Sequence, residues 1–389
     1  MNTKRTSNSF VKLKVMTIVG TRPEIIRLSR TIVKLDEYFE HILVHTGQNF
    51  DFELNQVFFD ELEIRSPNIF LDCAMASPAE TIAEVIRKSD QILDKYKPDA
   101  VLILGDTNSS LAAISAKRRK VPIFHMEAGN RCFNLNVPEE INRKIVDHIS
   151  DINMPYSDIA REYLLSEGIK PETIIKTGSP MDEVLDFYKE KINGSNIIQE
   201  LKLEEGAYFI VSVHREENVD DRQSLEDFSQ LLNSIAQQFE LPIIVSAHPR
   251  TRKRLASENF SFSPLIQFKK PLGFFDYRKL QKNSKAVLSD SGTITEESSI
   301  LNFPAINLRE VHERPEGMEE GAVMFTGMNT KRVMQGLKIL DYQSRNGLRN
   351  ISKVKDYIAP NVSEKVARMI LSYTDFVNKN IWQKQSNND

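Results

Sequence analysis

The chain reads as an α/β protein built from two doubly wound domains, and three observations predict this. Its 389 residues exceed what one hydrophobic core usually spans. Short apolar runs rich in β-branched residues alternate with longer amphipathic segments, the pattern of parallel sheets covered on both faces. These runs also fall into two series, each long enough for its own sheet.

The first series comprises KVMTIVG (14–20), HILVHTG (41–47), VLILGD (101–106), PIFHMEA (122–128) and IIKTGS (174–179). The second comprises YFIVSVH (208–214), PIIVSAH (242–248), LIQFKK (265–270), AVLSD (286–290) and AINLR (305–309). Between them KEKINGSNIIQELKLEEGA carries no buried strand, which puts a boundary between Asp182 and Tyr208. The expected organisation is a disordered segment over 1–12, a first domain over 13–185 and a second over 186–362. The stretch 363–389 should supply a final helix, Ser363 to about Trp382, packing back on the first domain, with QSNND frayed at the end. No internal repeat or low-complexity segment interrupts this plan.

Composition narrows the function. The formal net charge is −3 and the sequence pI is near 6.2, so no excess of positive charge is available for a nucleic-acid backbone or an anionic membrane. The basic clusters Lys117–Lys120 and Arg250–Arg254 are short and read as a solvated helix face or a phosphate-facing loop, not a nucleic-acid patch. Two cysteines, Cys73 and Cys132, make neither a disulfide framework nor zinc-ligand spacing. The polar start MNTKRTSNSFVKLK lacks the apolar run of a signal peptide, and no stretch has the length of a membrane span. A cytoplasmic location is expected, and the sequons at Asn193, Asn350 and Asn361 read as chance.

Polar residues with chemical potential cluster where the apolar runs end: Gly20-Thr21-Arg22, Gly105-Asp106-Thr107, Glu127, His214, His248 and Asp290-Ser291-Gly292. In open parallel sheets ligands bind beyond the carboxyl ends of the strands, so both domains are expected to aim chemistry at a shared cleft. In GTRPEIIRLSR (20–30), Gly20 permits a tight turn, Pro23 suits the first helical position, and Arg22 with Arg27 would attract an anion at a helix start. The segment is neither a GxGxxG nor a P-loop, which argues against a dinucleotide and against ATP.

Asp106, Glu127 and Glu139 form an acidic group beside Arg131 and Arg143, able to supply an acid and a base with separated pKa values. Glu140 reads instead as a helix cap. His214 in HREEN and His248 rank above His41, His125 and His148, which read as structural. In SDSGTITEESSI (289–300) the Ser291-Gly292 amides would cradle a pyrophosphate, Thr293 and Glu296 are spaced as a capping box, and Glu297 could accept two ribose hydroxyls. Arg314 in HERPEG would complete a cationic clamp.

Taken in order, GTRPE (20–24), TGQ (46–48), LGDT (104–107), EAG (127–129), PEEINR (138–143), HREEN (214–218), SDSGTITEE (289–297) and ERPEG (313–317) resemble the non-hydrolysing UDP-N-acetylglucosamine 2-epimerases from about Lys14 to Val323. That resemblance implies two Rossmann-like domains of the glycosyltransferase B type with UDP between them. It implies anti elimination of UDP to a 2-acetamidoglycal and re-addition with C2 inverted, without NAD or metal. By motif position Asp106, Glu127, Glu139 and His214 are the catalytic candidates. Arg22, Arg27, Arg143, His248, Tyr277, Ser291, Gly292, Glu297 and Arg314 are the UDP-sugar-binding ones. Asp106 and Glu139 are expected in C2 proton transfer, with Glu127 binding sugar or tuning a neighbour.

Two departures stand out. The family's usual lysine after GTRPE is Arg27 here, and the common bacterial histidine after TGQ is replaced by Asn49, followed by Phe50, which puts activation by UDP-N-acetylglucosamine in doubt. HMEAGNRCF (125–133) with SGTITEESSI (291–300) resembles the branch acting on 6-deoxy L-sugars, from UDP-2-acetamido-2,6-dideoxy-L-talose to UDP-N-acetyl-L-fucosamine for surface polysaccharides. Cys132 and Phe133 could offer an apolar wall to a C6 methyl. The alternatives are the UDP-N-acetylglucosamine to UDP-N-acetylmannosamine epimerase, a glycosyltransferase of the same fold, and a non-catalytic nucleotide-sugar sensor. A homodimer is expected.

Overall fold

The computed structural model describes residues 11–48, 58–213, 222–246, 254–255, 260–309, 311, 313–343 and 349–384. Two six-stranded sheets, all of whose pairings are parallel, organise them. The first contains β1 (Lys14–Val19), β2 (Glu40–His45), β3 (Ile69–Phe70), β4 (Ala100–Leu104), β5 (Ile123–Met126) and β6 (Ile152–Met154) in the order β3-β2-β1-β4-β5-β6. The second contains β7 (Phe209–Ser212), β8 (Ile243–Ser246), β9 (Ile266–Lys269), β10 (Ala286–Ser289), β11 (Ala305–Asn307) and β12 (Met324–Phe325), ordered β12-β11-β10-β7-β8-β9. Counted within each sheet the two orders are the same doubly wound arrangement. Each reverses direction once, between β1 and β4 and between β7 and β10, where a crevice opens beyond the strand ends.

The apolar runs fold this way because successive side chains leave opposite faces of a strand. Val15 and Val19 join one core with Leu28, Ile32 and Leu35, while Met16 and Ile18 join another with Val85 and Leu93. In the second sheet Ala286 and Leu288 pack with Leu225 and Leu232, and Val287 packs with Leu280 and Ile294. Helix Val362–Asn380 lies along helix Arg22–Tyr38 and shares its core through Val362, Val366 and Ile370. Glu364 there accepts from the Tyr38 hydroxyl at 2.8 Å and pairs with Lys34 at 3.0 Å.

Three expectations change. IIKTGS is not a strand: Ile174 makes one isolated bridge to Asn153, and the chain then runs on as a connection. The strands β3, β6 and β12, two or three residues each, are too short to leave a period in the sequence. Arg22, not Pro23, opens the first helix. Among the described residues no helix is long and apolar enough to cross a membrane.

Gly20 is required for a different reason than a turn. A methyl group on its Cα would lie 1.8 Å from Ser109 Oγ and 2.2 Å from Thr46 Oγ1, the hydroxyl pair that links the segments following β2 and β4 at 2.7 Å. Gly20→Ala should therefore destabilise the protein by about 1–3 kcal/mol, as overpacking does. Denaturant unfolding with an unchanged midpoint would contradict that contact.

Candidate functional site

The carboxyl edges of the two sheets meet, and charged side chains fill the junction. Arg27, on the helix following β1, is buried; its Nη2 donates to Glu296 Oε2 at 2.6 Å, and its Nε lies 3.7 Å from Glu127 Oε2. Glu296, on helix Ile294–Leu301 of the second sheet, also accepts from the Ser179 hydroxyl. Arg314 reaches across from the second sheet's side and donates to Glu127 Oε1 at 2.6 Å. Burial works against each of these charges. For Arg27 the carboxylates of Glu127 and Glu296 outweigh it and hold the guanidinium protonated. For Glu296 the two arginines hold the carboxyl below its usual range.

This replaces the expected capping box. The Thr293 side chain makes no cap hydrogen bond, and Glu296 turns inward to Arg27 instead of back to the helix start. A buried arginine outbids an amide for that carboxylate because the pair is charged on both sides. The substitution of arginine for lysine at position 27 fits the same geometry, since a fork of donors can serve Glu296 and Glu127 together.

Glu127 follows β5 directly and adopts a left-handed backbone, φ +64°. That conformation costs a non-glycine residue free energy and marks a position where the surroundings fix the side chain. The surroundings here are a buried network beneath the strand ends. His125 pairs with Asp147 at 2.9 Å and bonds the Gly105 carbonyl at 2.9 Å. Asp147 also accepts from the Gly129 amide at 3.1 Å and from Arg131 at 2.7 Å. Burial disfavours the His125 cation, yet Asp147 overcomes this and its pKa is raised. One carboxylate thus ties the turn after Glu127 to the strand end carrying Asp106.

The three acidic candidates occupy three environments. Asp106 accepts from Arg143 Nε at 2.6 Å. Burial pushes its carboxyl up; Arg143 opposes this, and Glu313, Glu127 and Glu139 reinforce it. Glu127 is clasped by two guanidinia, as described. Glu139, second residue of helix Pro138–Ile149, is partly exposed and makes no hydrogen bond to a described residue. Glu140 does not cap that helix. It accepts from the Cys132 amide at 3.0 Å and the Phe133 amide at 3.2 Å, folding the 132–133 loop onto the helix start.

Arg143, expected to bind the nucleotide, is already shared among protein carboxylates: Asp106, Glu140 at 2.9 Å and Glu313 at 2.9 Å. Glu297 likewise is held by Arg278 at 2.6 Å and Gln281 at 2.9 Å. Arg22 stays open to solvent with its guanidinium over the Phe58 ring; the surrounding protein, and after it Arg278, lowers its pKa. Tyr277 is half-buried with its hydroxyl pushed up to about 12, by burial first and then by Glu297. Ser291 and Gly292 follow β10, with the Ser291 hydroxyl 3.0 Å from Thr293 Oγ1. His214 and His248, like Asn49 and Phe50, lie outside the described residues.

Cys132 is buried, its Sγ 3.3 Å from Glu140, whereas Phe133 is two-thirds exposed with its ring edge-on to Tyr163. Of the expected apolar wall, Cys132 is thus turned to Glu140, and Phe133 keeps accessible apolar surface. Sequence reasoning passed over Glu24, Arg278, Gln281, Arg309 and Glu313. Glu24 was visible at the capping-box spacing from Thr21, which aims its carboxylate at the Thr21 amide at 3.0 Å and the Gly20 amide at 2.5 Å, but nothing local shows that it also accepts from Thr107 at 2.5 Å.

Burial raises the Glu24 pKa from 4.5 to about 7 despite those donors. The folded state then binds this proton more tightly than the unfolded chain does. Its contribution to stability is present at low pH and declines as pH rises from about 4.5 to about 7. Glu24→Gln removes the ionisation, so the fall in melting temperature across that window should shrink by at least about 2 °C. Parallel wild-type and variant profiles would count against it.

Comparison with known proteins places this geometry. The family model for UDP-N-acetylglucosamine 2-epimerase matches residues 32–371. A solved structure described as UDP-N-acetylglucosamine 2-epimerase from Rickettsia bellii is 50% identical, with a TM-score of 0.90 over 96% of this chain and 100% of that one. The Methanocaldococcus jannaschii UDP-GlcNAc 2-epimerase, solved in complex with UDP-GlcNAc and UDP, is 32% identical, with a TM-score of 0.85 over 93% and 100%. A Pseudomonas aeruginosa UDP-2,3-diacetamido-2,3-dideoxy-D-glucuronate 2-epimerase is 31% identical over 89% of this chain and 99% of its own length. With two doubly wound domains of the glycosyltransferase B type and a match across most of its length, the chain belongs to the UDP-N-acetylglucosamine 2-epimerase family of isomerases.

Proposed function

We propose that the protein inverts C2 of a UDP-linked N-acetylhexosamine by anti elimination of UDP and its re-addition to the resulting 2-acetamidoglycal. The observation that carries this reading is the grouping of Asp106, Glu127 and Glu139 in three different environments at one crevice. C2 of such a sugar has no adjacent carbonyl to stabilise a carbanion, so a proton leaves it only as the C1–O bond to UDP breaks. The electron pair of the C2–H bond forms the C1–C2 double bond, and the diphosphate departs with the C1–O pair. The reverse steps protonate C2 on the other face, with no net redox.

Glu139, partly exposed and without a hydrogen-bond partner among the described residues, suits the base that faces C2. Asp106, whose carboxyl burial pushes up, suits the group that returns a proton. Glu127 is committed to Arg27 and Arg314 and suits sugar binding and alignment. Arg22, Arg314 and the Ser291–Gly292 turn line the side where diphosphate charge develops. The UDP bound in the Methanocaldococcus jannaschii relative supports this choice of leaving group, and His214 and His248 remain candidates by motif alone.

The substrate we propose is UDP-2-acetamido-2,6-dideoxy-L-talose, giving UDP-N-acetyl-L-fucosamine for a surface polysaccharide. It rests on the resemblance of the Asn130–Phe133 segment to the branch acting on 6-deoxy L-sugars, with the exposed Phe133 as the apolar contact for a C6 methyl. The relatives named for UDP-N-acetylglucosamine favour a second reading, conversion of that sugar nucleotide to its manno epimer. One methyl contact discriminates by only about 1–3 kcal/mol, so both substrates should turn over and their rates decide.

Incubation in deuterated water without an acceptor, followed by NMR, tests the reaction. C2 should acquire deuterium and a new UDP-sugar should form; binding without exchange would leave only a sensor. Asp106→Asn, Glu127→Gln and Glu139→Gln should each lower turnover at least about a hundredfold while UDP binding largely survives. Near-normal turnover in all three would sink the site. Faster turnover of UDP-N-acetylglucosamine than of the 6-deoxy L-sugar would refute the substrate and keep the reaction.

A further inference from the structure

Arg309 lies two residues beyond β11 and is buried, with 1% of its surface exposed. Its Nη2 donates to Glu313 at 2.8 Å, while its Nε and Nη1 make no hydrogen bond to any described residue. Of these two donors, Nη1 borders the turn after β10. A methyl group built on Gly292 would stand 3.2 Å from Arg309 Nη1 and 3.1 Å from Glu313 Oε2. The absent Cβ at position 292 is therefore what lets another group approach the guanidinium from the turn.

A buried guanidinium with two unused donors bears the desolvation cost without the compensating bonds, and such donors are rare unless a ligand completes them. Nη1 faces that turn, and the charged complement of a guanidinium N–H there is an oxyanion, as a phosphate group presents. Arg309 is also wired to the carboxylate cluster. Glu313 accepts from Arg143 Nη2 at 2.9 Å as well, and Arg143 Nε donates to Asp106 at 2.6 Å. A chain of alternating charge, Arg309–Glu313–Arg143–Asp106, thus runs from the second sheet's phosphate side to the first sheet's acid.

We propose that Arg309 contacts the diphosphate of the sugar nucleotide through Nη1, and that Glu313 holds it there while coupling the leaving-group side to Asp106. The proposal rests on the UDP-sugar reading above. Arg309 stabilises charge as the C1–O bond breaks, and Glu313 is a positioning residue that acts through Arg309 and Arg143.

Equilibrium binding separates a ligand contact from a core residue and needs no turnover. Calorimetry with UDP and with uridine should show Arg309→Met losing at least about tenfold in UDP affinity and less than about twofold for uridine. Arg309→Lys, which keeps charge without the fork, should fall between with the same split. Equal losses for both ligands, or none for UDP, would overturn the contact, as would loss of a cooperative thermal transition in both variants. Glu313→Gln should slow C2 exchange at least about tenfold with UDP affinity no weaker; an unchanged rate would overturn the coupling. If the wild type binds UDP with this split but never exchanges C2, the epimerase reading fails and the Arg309 assignment stands.

Discussion

The cross-sheet cluster of Arg27, Glu127, Glu296 and Arg314 fixes most of what surrounds it. Each arginine is buried and finds carboxylates on both sheets, and a buried charge needs such partners to offset its desolvation. Arg27 is anchored to the first sheet by its helix but finds Glu296 on the second. Arg314 belongs to the second and finds Glu127 on the first. The pairing therefore sets the two carboxyl edges opposite each other. That arrangement brings Ser291 and Gly292 into the same junction as Asp106 and Glu139.

The same cluster explains why similar carboxylates differ chemically. Glu127 is held by guanidinia on two sides, so its charge is always compensated. Asp106 has one guanidinium, Arg143, which is divided among three carboxylates, and burial raises its pKa in spite of it. Glu139 stands at a helix start on the open side of the cleft, without a hydrogen bond to a described residue. Separation of environments, more than residue type, is what an acid and a base on one crevice require.

How far the sequence was legible depended on the range of the interaction. Strands buried on both faces, such as VLILGD, declare themselves by continuous apolar residues, and the motif loops at their ends follow from parallel topology. IIKTGS carries the same residue types but pairs with β6 through a single bridge, so composition alone misleads there. Glu296 looked like half of a capping box because Thr293 precedes it by three residues; its partner Arg27 is 269 positions away. Arg309 looked like the end of an apolar run for the same reason, since its significance comes from Gly292 and Glu313 meeting it in space. Local spacing reveals what a residue can do with its neighbours in the chain. Long-range charge pairing leaves no period to read.

That pairing also bears on how an anion could enter without dismantling the junction. Arg314 gives one nitrogen, Nη2, to Glu127 and keeps Nη1 without a bond to a described residue; Arg27 likewise keeps Nη1. Each guanidinium therefore retains donor capacity after its structural contacts are made. Glu127 in turn has Arg27 near one oxygen and Arg314 at the other, so a shift of Arg314 toward a ligand would not strand it. A site built from single, exclusive ion pairs would have to break one buried pair for each bond to an incoming anion, at a cost of several kcal/mol. Sharing each charge among partners removes that cost, and it permits one set of side chains both to join the two sheets and to keep donors for an incoming anion.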